Sequence, residues 1–285
     1  MIKCLILIFN LLFSINVYSQ NKFNDLAFII ENKQINVGFR SSSMPISYTI
    51  NQKPMGFAVD LCIDIINHID KNININWVEI DESQKRFELI KSNNIDIECG
   101  NTSVTSDREK DFSFSKPFYV AGIKFLSKKD LDIQNIAQLD GKKVVVTKNT
   151  TSHLLLQNLV KQFNFKLIVA STHLIAYKIL SQNKADTWLM DDVVLAAYKN
   201  MLKDKNNWTI SQEPTLIEPY AILIYKNNND LLNSINKNLV EIYKEGKWDF
   251  LYKKWFQKDI VDVYNNKINL NLPKQNHIQK LLNIN

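Results

Sequence analysis

The chain has 285 residues, with 35 basic and 29 acidic side chains, a formal charge of +6 and only three cysteines. Its lysines are dispersed, with no basic block longer than a pair, which argues against a nucleic-acid partner. It has no CxxC or Cys/His ligand spacing, no phosphate loop and no nucleophile elbow, so no metal, cofactor or catalytic residue is expected.

Residues 1–19 read as a cleaved signal peptide. Lys3 supplies a positive start, Cys4 to Phe13 form an apolar run broken only by Asn10, and Val17-Tyr18-Ser19 ends on a small residue. That run is too short to span a bilayer, and no later segment stays apolar for long enough. The mature protein is therefore expected to be soluble and periplasmic, with room for two domains of ordinary size.

Strands and helices then alternate, the pattern of an α/β protein with mainly parallel sheets. In a first set, 35–40, 73–78 and 95–99 read as strands and 59–69 as an amphipathic helix, and Ser83 is placed to cap a helix running to about Lys91. In a second set, strands 143–147, 165–170 and 187–190 alternate with helices 151–163, 172–181 and one starting at Asp191. Extended segments 118–127 and 220–225 join the sets, and helices 231–244 and 248–256 close the chain. Two α/β units joined by two crossings imply a clamshell with a cleft: lobe 1 from 20–120 and 222–285, lobe 2 from 121–221. Cys62 falls in a predicted helix and Cys99 at a strand end. An exported protein permits their pairing, and the sequence leaves it open.

Among the 35 basic residues only Arg40, Arg86 and Arg108 are arginine, and none occurs in the 177 residues that follow. The guanidinium fork grips a carboxylate through two parallel hydrogen bonds, which an ammonium cannot do. Ligands in such sheets bind beyond the carboxyl ends of the strands. Arg40 ends the first strand, Arg86 begins the helix after the second, and Arg108 lies just beyond the third. Asp191 ends the last strand of the second set, and Thr150-Thr151 open a helix whose free amides favour an anion. Anion sites on both lobes and one carboxylate suit a zwitterion with an extra negative charge.

The stretches "VGFRSSSMPISY", "RFELIKSNNIDIECGNTSVTSDREK", "LDGKKVVVTKNTTSHLLL", "LMDDVVLAA" and "EGKWDFLYKKWF" resemble the periplasmic amino-acid-binding proteins of ABC importers, solute-binding family 3, and above all their acidic-amino-acid branch in enteric bacteria. The resemblance implies a two-lobed type II periplasmic-binding-protein-like clamshell. It implies that Arg108 and the amides at Ser103 and Thr151, next to Thr150, receive the ligand α-carboxylate. Asp191, the Asn101 carbonyl and the Ser103 hydroxyl would hold the α-ammonium. Arg40, Ser83, Arg86 and His173 would surround the side-chain carboxylate. This chain departs from the enteric pattern in having Asn101 for serine, Ser103 for threonine and Asn149 for glycine, the last in a turn where asparagine tolerates a left-handed backbone.

Asp191 rather than Asp192 is expected to face the ligand. Asp96 and Glu98 alternate on a strand and read as a polar sheet edge rather than an acid–base pair. Phe112, Phe114, Phe118 and Tyr119 read as packing beneath the hinge. The function so implied is an extracytoplasmic receptor that captures L-glutamate or L-aspartate and delivers it to the membrane permease of an ABC importer. Glutamine would leave a guanidinium desolvated without an anion, at a cost on the order of several kcal/mol. The alternatives are a receptor for another polar amino acid and a cyclohexadienyl-dehydratase-like enzyme on the same fold. One methylene is worth only about 1–3 kcal/mol, so aspartate and glutamate are not ranked.

Overall fold

A computed structural model describes residues 23–275 and 278–282; the predicted signal peptide lies outside the described residues. The chain begins α1 (Leu26–Asn32), β1 (Gln34–Arg40), β2 (Ser42–Ser43), β3 (Ser47–Ile50), β4 (Lys53–Met55) and α2 (Phe57–Ile69). It continues β5 (Asn74–Ile80), α3 (Lys85–Lys91), β6 (Ile97–Cys99), α4 (Ser106–Asp111), β7 (Phe112–Phe114) and β8 (Tyr119–Lys128). The second half holds β9 (Lys143–Thr147), α5 (Thr151–Leu159), β10 (Lys166–Ala170), α6 (His173–Ser181), β11 (Thr187–Asp191) and α7 (Asp192–Asn200). Then follow β12 (Trp208–Ile210), β13 (Leu216–Tyr220), β14 (Leu223–Tyr225), α8 (Asn229–Lys244), α9 (Lys247–Phe256), β15 (Asp259–Val261), β16 (Lys267–Asn269) and α10 (Ile278–Leu281).

Two large sheets make the two lobes. One runs β5-β1-β6-β14-β7, with β1 parallel to β5 and β6, and β14 antiparallel to β6 and β7. The other runs β10-β9-β11-β8-β12, with β13 also paired to β8. Its strands β10, β9 and β11 are parallel, and β8 returns antiparallel to β11, β12 and β13. Helices follow the parallel strands, as a parallel sheet requires of its crossovers. A separate three-stranded sheet, β2-β3-β4, sits beyond β1; sequence periodicity misses it because its strands are only two to four residues long.

The expected single crossing 220–225 is two strands. Tyr220 ends β13 in one sheet and Leu223 begins β14 in the other, because a strand twisted into one sheet must bend to join a second. The two crossings run side by side: Phe118 N–H donates to Tyr220 O at 3.0 Å and Ser115 N–H to Ile222 O at 3.0 Å. Helix α9 backs them with aromatic rings. Trp248, wholly buried, stacks on Tyr252 and donates its indole N–H to Phe118 O at 3.1 Å. Phe57 joins Phe118, Trp248 and Phe256 in the same packing. Phe118 and Tyr119 thus lie beneath the hinge as expected, whereas Phe112 and Phe114 belong to a separate cluster with Phe87 and Ile90.

A disulfide joins Cys62 of α2 to Cys99 of β6 within one lobe, closing a loop with a sequence separation of 37. The strand it pins is central. β14 pairs along β6 on the side away from β1, so Glu98 is fully buried rather than at a polar sheet edge. No helix among the described residues is long and apolar enough to cross a membrane.

Candidate ligand site

Between the sheets lies a small cavity lined by Ser83, Arg86, Asn101, Ser103, Arg108, Thr150, Thr151, His173, Met190 and Asp191. All of the expected site residues except Arg40 are in that lining. They arrive from the carboxyl ends of β5, β6, β9, β10 and β11 and the helix starts beyond them, where an α/β sheet leaves its backbone groups open. The cavity leaves about 10 Å³ of free room, space for one water.

Arg40 stands one layer back. It ends β1 at 1 % exposure, and its guanidinium donates to Glu82 O at 3.0 Å and to the Ser83 hydroxyl at 3.0 Å. Ser83 therefore does not cap α3: that helix starts at Lys85 after Gln84, and the Ser83 hydroxyl accepts from Arg40 instead. Gly100 allows this packing. A Cβ there would lie 2.1 Å from Glu98 Oε1 and 2.6 Å from Arg40 Cγ, so a side chain would displace both.

Arg86 is 3 % exposed and donates no hydrogen bond to any described residue; its buried Nε has no partner. Its guanidinium lies 4.8 Å from the centre of the Phe87 ring, and that of Arg108 lies 5.2 Å from the same ring. The ring faces of aromatic side chains attract cations, and Phe87 offsets part of the repulsion between the two. Burial, then repulsion from Arg86, lowers Arg40 to about 9 and Arg108 to about 10. Burial also lowers Arg86, against the opposing pull of Glu98 and Asp191. All three stay charged at neutral pH. His173, the first residue of α6, is 1 % exposed, with Nδ1 2.8 Å from Thr147 Oγ1. Burial, then the charges of Arg40 and Arg86, holds it well below the usual histidine range, so its imidazole is neutral.

The remaining lining residues form a second group. Asp191 is the N-cap of α7 but makes no capping bond with its side chain, which leaves the carboxylate to the cavity. Asn101 Nδ2 donates to Asp191 Oδ2 at 3.2 Å, while Asn101 Oδ1 and Asp191 Oδ1 have no partner among the described residues. Burial, then the carboxylate of Glu218, raises Asp191 well above the carboxylate range. The Tyr220 hydroxyl faces Asp191 closely enough to favour its charged form, although the geometry falls short of a hydrogen bond. Asp192 points elsewhere, accepting from Val193 N–H at 2.8 Å.

Arg108 is half-buried and donates to Ser103 O at 2.7 Å. Ser103 bridges Tyr220 in the narrow sense. The flanking main-chain bonds are Val104 N–H to Pro219 O and Ala221 N–H to Thr102 O, so the Ser103 N–H is turned away from the hinge strand and has no acceptor among the described residues. Thr151 begins α5, where the first amides of a helix are free. The Thr150 hydroxyl is committed to that helix start: it accepts from His153 N–H at 3.2 Å and donates to Thr147 O at 2.7 Å. Asn149 adopts the left-handed conformation expected of it, φ 58°.

Three residues of the site escaped sequence reasoning. Met190 carries no chemical signal. Phe87 looks like the apolar face of a helix, which it also is. Glu218 sits on a short strand that the sequence reading leaves unassigned, and a lone carboxylate there gives no reason to place it inside.

A two-lobed α/β fold with a polar, charge-lined cavity at its hinge defines a type II amino-acid-binding receptor, and the comparisons with known proteins agree. Bacterial extracellular solute-binding proteins, family 3, match residues 35–258, and this chain belongs to that family. It is 30% identical over 262 residues to the L-glutamate/L-aspartate-binding protein of Pseudomonas aeruginosa, covering 89% of this chain and 86% of that one. It is 32% identical over 239 residues to the glutamate/aspartate import solute-binding protein of Escherichia coli, covering 81% and 79%. A solved structure of an ancestral arginine-binding protein bound to arginine superposes with a TM-score of 0.72 at 27% identity, covering 79% of this chain and 98% of that one. The chain is an amino-acid-binding solute-binding protein, and relatives of one fold bind ligands of opposite side-chain charge.

Proposed function

We propose that this protein captures L-glutamate or L-aspartate outside the cytoplasm and delivers it to the permease of an ABC importer. The observation that carries the reading is Arg86, buried to 3 % exposure and without a hydrogen-bond acceptor among the described residues. An unpaired guanidinium in such a place costs on the order of several kcal/mol, and a carboxylate with two acceptor oxygens offsets that cost. Ser83 and neutral His173 add polar atoms next to it, and Arg40 supplies positive charge from behind.

In this reading Arg108 and the free amides of Ser103 and Thr151 take the α-carboxylate, next to Thr150. Asp191, with the Asn101 and Ser103 oxygens, takes the ammonium. The E. coli and P. aeruginosa relatives, named for both acidic amino acids, support an acidic amino acid as the ligand. The free room is smaller than any amino acid, so loading involves separation of lobe 1 (20–120 and 222–285) from lobe 2 (121–221) about the paired crossings. Calorimetry of refolded protein against the twenty amino acids tests the proposal. Glutamate and aspartate should bind at least about 100-fold tighter than glutamine and asparagine. Equal affinity for acids and amides, or a preference for a basic amino acid, would refute it.

A further inference from the structure

Glu218 lies on β13, 5 % exposed, at the hinge end of lobe 2. Its Oε2 accepts a hydrogen bond from the Ser103 hydroxyl and another, at 2.8 Å, from the Thr151 hydroxyl. Ser103 comes from the loop after β6 and Thr151 from the start of α5, so one carboxylate oxygen collects a proton from each lobe. A hydroxyl has a single proton, and it turns that proton wherever an acceptor waits. Once Glu218 holds both, each hydroxyl oxygen has only lone pairs left for the cavity it lines.

The neighbouring groups have the same polarity. Asn101 uses its amide N–H on Asp191, leaving Oδ1 of each residue buried and unpartnered. Asn101, Ser103 and Thr151 thus present the shared cavity with side-chain acceptors and no free hydroxyl donor, and Asp191 joins them as a carboxylate once an ammonium favours its charged form. Such a shell fits a group that carries only donors, an ammonium. A keto oxygen offers no proton and a hydroxyl only one, so in either case lone pairs are left facing lone pairs.

We propose that Glu218 is a specificity-determining residue: by fixing the Ser103 and Thr151 hydroxyls as acceptors, it makes the site demand a cationic amine beside the ligand carboxylate. The inference rests on the ligand orientation given above and extends it. Glu218 does not touch the ligand; it sets the polarity of two groups that do. The site accordingly rejects 2-hydroxy and 2-oxo acids that match an amino acid in all but the nitrogen. Electrostatics works in the same direction, since Glu218 adds negative charge close to Asp191.

The test is calorimetry on wild type, Glu218→Gln and Glu218→Ala with three probes: L-glutamate, its 2-hydroxy analogue and L-glutamine. Wild type should prefer glutamate to the hydroxy analogue by about 10³-fold or more, as sites with fixed polar partners do. In Glu218→Gln the amide N–H turns one hydroxyl outward as a donor, and in Glu218→Ala both are free to rotate. Either variant should narrow the amine preference about tenfold while the glutamate-to-glutamine ratio stays within about threefold. An unchanged amine preference overturns the proposal. So does an equal loss for glutamate and its hydroxy analogue, which would make Glu218 a mere structural support. Glu218→Gln, nearly the same shape, decides the matter if the alanine variant does not fold. Should wild type prefer another amino acid, that amino acid and its own 2-hydroxy analogue replace the pair, so a wrong side-chain assignment is told apart from a wrong role for Glu218.

Discussion

Arg86, His173 and Ser83 form one group on the cavity wall, with Arg40 behind them; Asn101, Ser103, Thr151 and Asp191 form another, with Glu218 behind and Arg108 beside it. The first contains positive or neutral donors and no carboxylate on the wall. The second mixes a guanidinium and free amides with a ring of acceptor oxygens. A zwitterionic backbone needs the mixture, since it carries both charges on adjacent atoms, whereas a carboxylate side chain needs donors alone. The contrast implies a division of labour: the mixed group admits amino acids as a class, and the donor group selects among them.

Mutations should separate the two groups. Removing the mixed group's one cation, Arg108→Ala, should weaken every amino acid alike, by about 2–5 kcal/mol, as the loss of a hydrogen-bonded charged partner does. Calorimetry with glutamate and glutamine checks it, and a loss confined to glutamate would break the division. The disulfide tests what holds the mixed group in place, because Asn101 and Ser103 leave directly from the strand that Cys99 ends. Cys62→Ser with Cys99→Ser should lower stability by about 4 kcal/mol from the chain entropy of that loop, measured by denaturant titration. The glutamate-to-glutamine ratio should not move.

In the donor group, Arg40→Lys should cost glutamate about 2–3 kcal/mol and glutamine far less. A lysine keeps the charge but lacks the planar fork whose two nitrogens bond Glu82 O and Ser83 Oγ, so the anchor of Ser83 weakens. An unchanged ratio would remove Arg40 from selection.

The smallest effects are proton linkages, and the two groups give opposite signs. Asp191 is raised in the free protein by burial and then by Glu218, and a ligand ammonium favours its charged form. Binding there releases a proton, so affinity rises with pH through the range between the bound and free values. His173 is lowered by burial and then by Arg40 and Arg86, and a ligand carboxylate offsets their field. Binding there takes up a proton, so affinity rises as pH falls through the acidic range below the usual histidine value. Each slope is at most about tenfold per pH unit. Comparing wild type with Asp191→Asn and with His173→Gln should remove one arm at a time, and a variant that keeps the wild-type profile shows its residue is not linked.

The donor group was more legible in the sequence than the mixed one, for a physical reason. Arginine is scarce here, and its geometry differs from that of lysine, so Arg40 and Arg86 stand out before any fold is known, as does Arg108 alone of the mixed group. The strands that lead to them have clear apolar periodicity, and those expected to end at Arg40 and Cys99 do end there, their starts differing by one and two residues. The mixed group depends on contacts distant in sequence. Glu98 reads as an edge residue because β14, which buries it, lies more than a hundred residues later. Glu218 draws no reading from the sequence because only the pairing of β13 with β8 and the bridge to Ser103 turn it inward. Short strands such as β2 and β4 lack the length for any period to register.

A crystal structure of the complex with L-glutamate tests the division of labour most directly. The account predicts the side-chain carboxylate within hydrogen-bond distance of Arg86, the ammonium on Asp191 and the α-carboxylate on Arg108. A glutamate whose side chain leaves Arg86 without an acceptor, or whose ammonium lies away from Asp191, would contradict it.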